Sequence, residues 1–359
     1  MKNDFASNLP PRYAPLGESE SGGMGDVIYC QDLQLLRLVA IKTIQNIDEI
    51  NRLEDEISAL TQLRSKHVVQ VFDVITFDDG SFGIVMEFIK GNDLFKISDL
   101  IQNPIALLKI LWQISSGIAD IHATGLIHRD IKPNNMKLDE EGIVKIFDFG
   151  LARNSGEDAK TVGFKGTMGF SAPEQYTNDE LTFTSAIDVY AFGVMVVYLA
   201  TGDIPKSLLK IPPASLPANY LSCSLLKEFP ILTGILEGCL SNAPESRPRM
   251  STVRDEISKY LLFNKHQAMA VYQNKTYILN HNSPSIELGY GTIGTFKLRY
   301  NGLDFLFEDV AGEVFVNNML VTSDKSIPGA CVVAIGGAHR RPNERKYITF
   351  DVSNPEVTL

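Results

Sequence analysis

The chain has 359 residues, more than one ordinary domain, and 44% of them are hydrophobic, enough for a sizeable core. Its 33 basic against 43 acidic residues leave a net charge of −10, which argues against a sequence-independent nucleic-acid binder held by phosphate contacts. The four cysteines, Cys30, Cys223, Cys239 and Cys331, have neither CxxC nor metal-type spacing, which excludes a disulfide framework and a zinc site as the organising principle.

In chain order, residues 1–11 are polar and proline-bearing and are expected to form a loose arm. The stretch PLGESESGGMGDVIYC follows, then LQLLRLVAIKTIQ. Glycines between two β-like runs let a backbone fold closely over phosphates, and Val27 would offer an apolar surface to a base. IDEINRLEDEISALTQL repeats apolar residues at Ile50, Leu53, Ile57, Leu60 and Leu63, the spacing of an amphipathic helix. Two β-like runs, HVVQVFDVIT and SFGIVMEFI, flank the turn DDG. A helical run, LLKILWQISSGIADIHA, leads towards His128. Trp112 within it is expected in the core.

HRDIKPNNMKLDEEGIVKIFDFG, residues 128–150, carries the chemistry. Asp130 is followed by Lys132 and Asn135, and the β-like run IVKIF delivers Asp148. Phosphoryl transfer from ATP needs a carboxylate to orient a hydroxyl and accept its proton, a cation beside the migrating phosphoryl, and hard oxygen ligands for Mg²⁺. Asp130, Lys132, Asp148 and Asn135 supply those four groups.

These motifs resemble the protein kinase family, whose catalytic and magnesium loops read H-R-D-x-K-x-x-N and D-F-G. The resemblance, strongest for the bacterial serine/threonine type, covers about residues 12–263 and implies an α+β, two-lobed fold with a β-rich small lobe and a helical large lobe. It further implies that Gly22, Gly25, Val27 and Ala40 line the nucleotide site. Lys42 of VAIK would hold phosphates and pair with Glu56. Met86 would precede a hinge, with Glu87 and Ile89 meeting adenine through their backbone. Asn135 and Asp148 would hold Mg²⁺. The pattern departs in two places. Gly17 looks displaced by a three-residue insertion, Ser19 to Ser21, so a longer loop is expected. Lys137 stands where an aliphatic side chain often lies under adenine, and its methylene stem can serve there.

After Gly150, residues 151–171 are rich in Gly, Ser, Thr and Lys and end at Ala172-Pro173-Glu174, resembling an activation segment. Arg129 beside Asp130 calls for an anion, and phosphate on Thr161 would serve; Thr167 and Ser155 are further candidates. By the same resemblance Asp188 holds the catalytic-loop backbone, and Glu174 pairs with Arg247. The most apolar segment, Val189 to Ala200, is too short to span a bilayer and is broken by Gly193. MKNDFASNLPPRY has no apolar run of the signal-peptide kind. A cytoplasmic location with no membrane partner is therefore expected.

Beyond a linker at 264–267 the period changes to two, in KTYILN, TFKLRY, LDFLFED, VFVNN, CVVAIGG and YITFDV, with Asn301-Gly302 as a hairpin signal. Residues 268–359 are expected to form a small all-β sandwich. It resembles a forkhead-associated (FHA) domain in the order of VFVNN, the Pro328-Gly329 turn, Ile335-Gly336 and FDVSNPEV. Where that family places a phosphate-binding Ser and Arg stand Gly294 and Thr295, and Glu313 would repel a phosphate. Lys297 is the nearby cation, expected on a solvated strand face, and Arg340, Arg341, Arg345 and Lys346 are expected in a solvated loop. A protein partner recognised without phosphate, or docking within the chain, is the expectation.

Taken together, the sequence points to an ATP- and Mg²⁺-dependent serine/threonine kinase acting on protein substrates, with a C-terminal interaction module. A kinase-shaped scaffold without turnover is the alternative. Retention of Lys42, Glu56, Asp130, Asn135 and Asp148 weighs against it.

Overall fold

The computed structural model describes residues 8–22, 25–44, 58, 60–77, 80–97, 101, 103–148, 153–154, 160–161, 169–176, 181–182, 184–353 and 355–358. Two compact units divide the chain, Met1–Ile257 with Leu359, and Ser258–Thr358.

The first unit opens with an antiparallel five-stranded sheet of order β1-β2-β3-β5-β4. Its strands are β1 (Tyr13–Gly22), β2 (Gly25–Asp32), β3 (Arg37–Ile44), β4 (Val71–Thr76) and β5 (Phe82–Glu87). One face packs on itself: Ile28, Cys30, Val39, Ile41, Ile75, Phe77 and Val85 form a buried cluster with Tyr13. Arg12 ties the start of β1 to the end of β2 through two bonds to Asp32, at 2.9 and 2.7 Å, and Asp32 is fully buried. The side-chain bond from Arg12 holds the Asp32 carboxyl well below the usual carboxylate range.

The sequence insertion emerges as a bulge and not as a longer glycine loop. Gly22 pairs with Gly25, so only residues 23 and 24 separate the strands. The register shifts between Pro15 and Ser19, leaving residues 16–18 opposite Tyr29 alone. Gly17 sits there at φ 83°, a conformation that costs glycine nothing.

The helical part follows after β6 (Gly91–Asp93) and the short α1 (Leu94–Ile97). Helix α2 (Pro104–Ala123) starts on Asn103, whose side chain accepts the amide of Ala106 at 2.8 Å, with Pro104 in the first turn. By length and apolarity α2 could cross a bilayer. However, Leu107, Leu111, Ile114, Ile118 and Ile121 are wholly buried in the unit, and Gln113 satisfies the amide of Val144 and the carbonyl of Gly142. It is a core helix.

β7 (Leu126–Ile127), β8 (Met136–Asp139) and β9 (Val144–Ile146) bracket the catalytic-loop sequence, with β6-β8-β9 forming a small sheet. The two-residue strands β10 (Arg153–Asn154), β11 (Lys160–Thr161) and β12 (Leu181–Thr182) follow, β10 pairing with β7 and β11 with β12. Helix α3 (Ala186–Thr201) is buried on nearly every side and ends on Gly202 at φ 81°. α4 (Pro230–Gly238) and α5 (Met250–Leu261) follow.

Gly117 is where α2 meets β9. A Cβ there would lie 2.8 Å from Ile146 Cδ1 and 2.9 Å from the carbonyl oxygen of His67. Gly117→Val is expected to destabilise the chain by about 1–3 kcal/mol, because the His67 carbonyl is backbone already bonded to the amide of Ile146 and cannot retreat cheaply. A thermal midpoint equal to wild type would contradict that.

After the last turn of α5, the second unit is built mainly of β-strands. A six-stranded sheet of order β14-β13-β21-β20-β18-β19 uses β13 (Ala268–Tyr272), β14 (Lys275–Leu279), β18 (Val314–Val316), β19 (Met319–Leu320), β20 (Cys331–Ile335) and β21 (Lys346–Val352). A three-stranded sheet holds β15 (Ser285–Tyr290), β16 (Gly294–Tyr300) and β17 (Phe305–Gly312). Alternation buries one face of each: Ala268, Ala270, Val333, Ile348 and Phe350 from one sheet share a core with Leu288, Phe296, Leu298 and Phe307 from the other. Asn301-Gly302 opens a four-residue connection between Tyr300 and Phe305, with the Asn301 side chain accepting the amides of Leu303 and Asp304.

The charged residues singled out in this unit have partners. Glu313 does not stand as a bare charge, because Arg340 grips it with two bonds at 2.9 and 2.6 Å and the amide of Gly337 donates to it at 2.6 Å. Those bonds, Arg340's first, hold its carboxyl down to about 2. The basic stretch is correspondingly structural: Arg345 Nε donates to the carbonyl of Gly336, and Lys346 lies over the Tyr290 ring. Lys297 pairs across strands with Glu308 at 3.3 Å.

Candidate active site

Asp188, in the first turn of α3, assembles the catalytic loop. Its carboxylate accepts the backbone amides of His128 and Arg129, each at 2.8 Å, and meets His122 Nε2 at 2.9 Å. Burial pushes this carboxyl up, but the His122 bond and the neighbouring donors outweigh it and hold it below the ordinary carboxylate range. The loop it fixes is strained, since Arg129 has φ 68°. A side chain in the left-handed region costs about 1–3 kcal/mol and persists only where neighbours enforce it.

Strain and anchoring turn Asp130 into a cluster. Lys132 Nζ lies 2.7 Å from Asp130 Oδ2, and Asn135 Nδ2 donates to the same oxygen and to the Asp130 carbonyl, both at 2.8 Å. The amide nitrogen of Asn135 is thus committed to Asp130, which makes its Oδ1 the atom suited to a hard cation.

Asp148 is brought alongside by the backbone. The amide of Phe147 donates to the carbonyl of Asn135 at 3.0 Å, and His128 Nε2 meets the Phe147 carbonyl at 3.1 Å. The next residue, Asp148, has φ 70° and receives Lys42 Nζ at 2.5 Å. An amide oxygen and a carboxylate from adjacent segments make a donor set that fits Mg²⁺, which binds one or two protein oxygens and completes its shell with water and phosphate.

Lys42 also defines the cleft-side face of the sheet. Ala40 follows by alternation, and register adds Val27 and Tyr29 from β2 and Ile84 and Met86 from β5. The roof positions Val27, Ala40 and Lys42 therefore come together, while Gly22 and Gly25 close the hairpin beyond them. At the hinge, the amide of Glu87 is taken by the carbonyl of Gln70 at 2.9 Å, and its carboxylate bridges to Lys145 Nζ at 2.9 Å. Ile89 follows the end of β5, half-buried. Lys137 sits opposite Lys145 on β8, its ammonium 5.6 Å from the Phe147 ring.

Glu56, Ser155 and Thr167 lie outside the described residues, as do Phe149 and Gly150. Thr161 is described in its backbone, paired with Leu181. The large-lobe ion pair is bidentate: Arg247 meets Glu174 at 2.7 and 2.8 Å and donates to the carbonyls of Ala186 and Ser241. Tyr29 was missed by sequence reasoning. It stands two residues beyond Val27 on a strand, so alternation alone places it on the same face.

A model of the protein kinase domain matches residues 14–256, more than half of the chain. The chain belongs to the protein kinase family, and this region has the family's two lobes with a β-rich first lobe. Its relatives include a probable serine/threonine-protein kinase of Clostridium acetobutylicum, 30% identical over 78% of this chain and 45% of that protein. Serine/threonine-protein kinase PrkC of Bacillus subtilis is 34% identical over 56% of this chain and 32% of its own length. Serine/threonine-protein kinase A of Synechocystis is 32% identical over 67% and 51%. The chain thus spans about half or less of the curated relatives it matches.

Proposed function

We propose that the chain transfers the γ-phosphoryl group of ATP to serine or threonine hydroxyls of proteins. The observation that carries this is the Asp130 carboxylate held by Lys132 and Asn135 while Asp148 lies against Lys42. Asp130 orients the incoming hydroxyl and takes its proton as oxygen bonds to the γ-phosphorus and the bond to the β,γ-bridging oxygen breaks. Lys132 stands beside that carboxylate to balance charge on the migrating group, and Lys42 positions phosphate oxygens. Asn135 Oδ1 and the Asp148 carboxylate are the groups that would hold Mg²⁺. The metal supplies charge neutralisation on the phosphates. Lys132 after Asp130 favours serine and threonine over tyrosine. Transfer from γ-labelled ATP to a protein substrate, followed by phosphoamino-acid analysis, tests the reading.

The same proposal includes autophosphorylation at Thr161. The backbone amide of Arg129 is held by Asp188 next to Asp130, and a guanidinium is a group that bonds phosphate oxygens. Mass spectrometry after incubation with ATP should show phosphate on Thr161, and Thr161→Ala should lower the phosphate count. An unchanged count with full activity would remove that site.

The C-terminal unit completes the proposal as an FHA-like sandwich that docks a protein partner. Gly294 and Thr295, which stand at the start of β16 without a cationic side chain, and Arg340 already spent on Glu313, favour recognition without phosphate.

A further inference from the structure

Within the cleft-side set, Tyr29 lies nearest the hinge end of β2. It pairs with Ala40, which pairs in turn with Met86, two residues before Phe88. Val27, opposite Lys42, lies about 7 Å along the strand towards the phosphates. Residues of β2 and β5 are separated by β3, yet the Tyr29 and Phe88 rings meet edge-on, centroids 5.1 Å apart at 83°. Ala40 carries only a methyl between them, which leaves room for that contact across the cleft-side face.

Two more features converge on this ring. The β1 bulge places residues 16–18 opposite Tyr29 and no other residue, so the chain length added to the glycine-rich hairpin is absorbed there. Leu16, inside the bulge, is 48% exposed, whereas Ile28 next to Tyr29 is buried in the core. An apolar edge and an aromatic pair therefore border the end of the cleft away from Lys42 and Asp148.

We propose that Tyr29 and Phe88 form an aromatic clasp at the hinge end of the nucleotide cleft, and that Tyr29 contributes the ring against which the purine base settles. Resting on the kinase reading, this makes Tyr29 a determinant of nucleotide affinity, distinct from the groups that handle the phosphates. Edge-to-face geometry fixes the spacing between β2 and the hinge, so either ring's loss should loosen the slot for a flat base.

Calorimetry with Mg-ATP on the full chain tests it, using Tyr29→Leu, Tyr29→Phe, Phe88→Leu and the Tyr29→Leu/Phe88→Leu double variant. Leucine keeps apolar volume and removes the ring; Phe88→Leu supplies the same test should Tyr29→Leu not fold. Each leucine variant should bind about two- to tenfold more weakly, and Tyr29→Phe within about twofold of wild type. The double variant should be no weaker than about the worse single, because one shared contact is lost once. Turnover at saturating ATP should stay within about twofold, as the phosphate end is untouched. Wild-type affinity in Tyr29→Leu, or losses that multiply in the double variant, would overturn the clasp. Absence of Mg-ATP binding by the wild type would overturn the kinase reading and the clasp with it.

Discussion

Asp148→Ala is expected to abolish phosphoryl transfer while the chain still folds, judged by an unchanged circular dichroism spectrum. Asp148 is delivered to the cleft by the Phe147–Asn135 backbone bond and the His128 ring, none of which needs its side chain. Its carboxylate serves chemistry: a metal anchor worth several kcal/mol of transition-state stabilisation corresponds to about three orders of magnitude or more in rate, at about 1.36 kcal/mol per decade. Asp148→Asn should be as inactive, since it keeps the shape and loses the charge. An Asp148→Ala protein that labels substrate as well as wild type would show that the metal assignment is wrong.

The largest stability loss is expected at Arg247. Its side chain is fully buried, grips both oxygens of Glu174, caps two backbone carbonyls and lies 5.0 Å from the Tyr190 ring centroid. Arg247→Ala strips all of these at once and leaves the carboxylate 19% exposed without its partner. Breaking such a pair costs about 3–5 kcal/mol, which for a unit of this size lowers the thermal midpoint by roughly 6–20 °C. Arg247→Met combined with Glu174→Leu should recover part of the loss, because an apolar pair leaves no stranded charge. A midpoint for Arg247→Ala within about 2 °C of wild type would contradict the account.

The catalytic cluster was legible because it is local. Asp130, Lys132 and Asn135 fall within six residues of one another, and the loop that brings them together is short. Asp188 and the Glu174–Arg247 pair lie far apart in sequence and were reached by resemblance, which the bonds to His128, Arg129 and both guanidinium ends match. The features that escaped depend on register between strands. Nothing in Gly17-to-Gly25 read linearly says that the surplus residues leave the hairpin turn and enter β1 opposite Tyr29. Phe88 likewise reaches Tyr29 only because β3 places a small residue between them. In the second unit, Glu313 and Arg340 are 27 residues apart and meet because β18 and β20 pair Val314 with Ile335. Counting charges along the chain could not show that one neutralises the other.

The most direct measurement is incubation of the full chain with γ-labelled ATP, Mg²⁺ and a serine- and threonine-bearing protein substrate, beside Asp148→Ala and a metal-chelated control. The account predicts label on phosphoserine or phosphothreonine in the wild-type reaction alone. Wild-type label no greater than that of Asp148→Ala would contradict it.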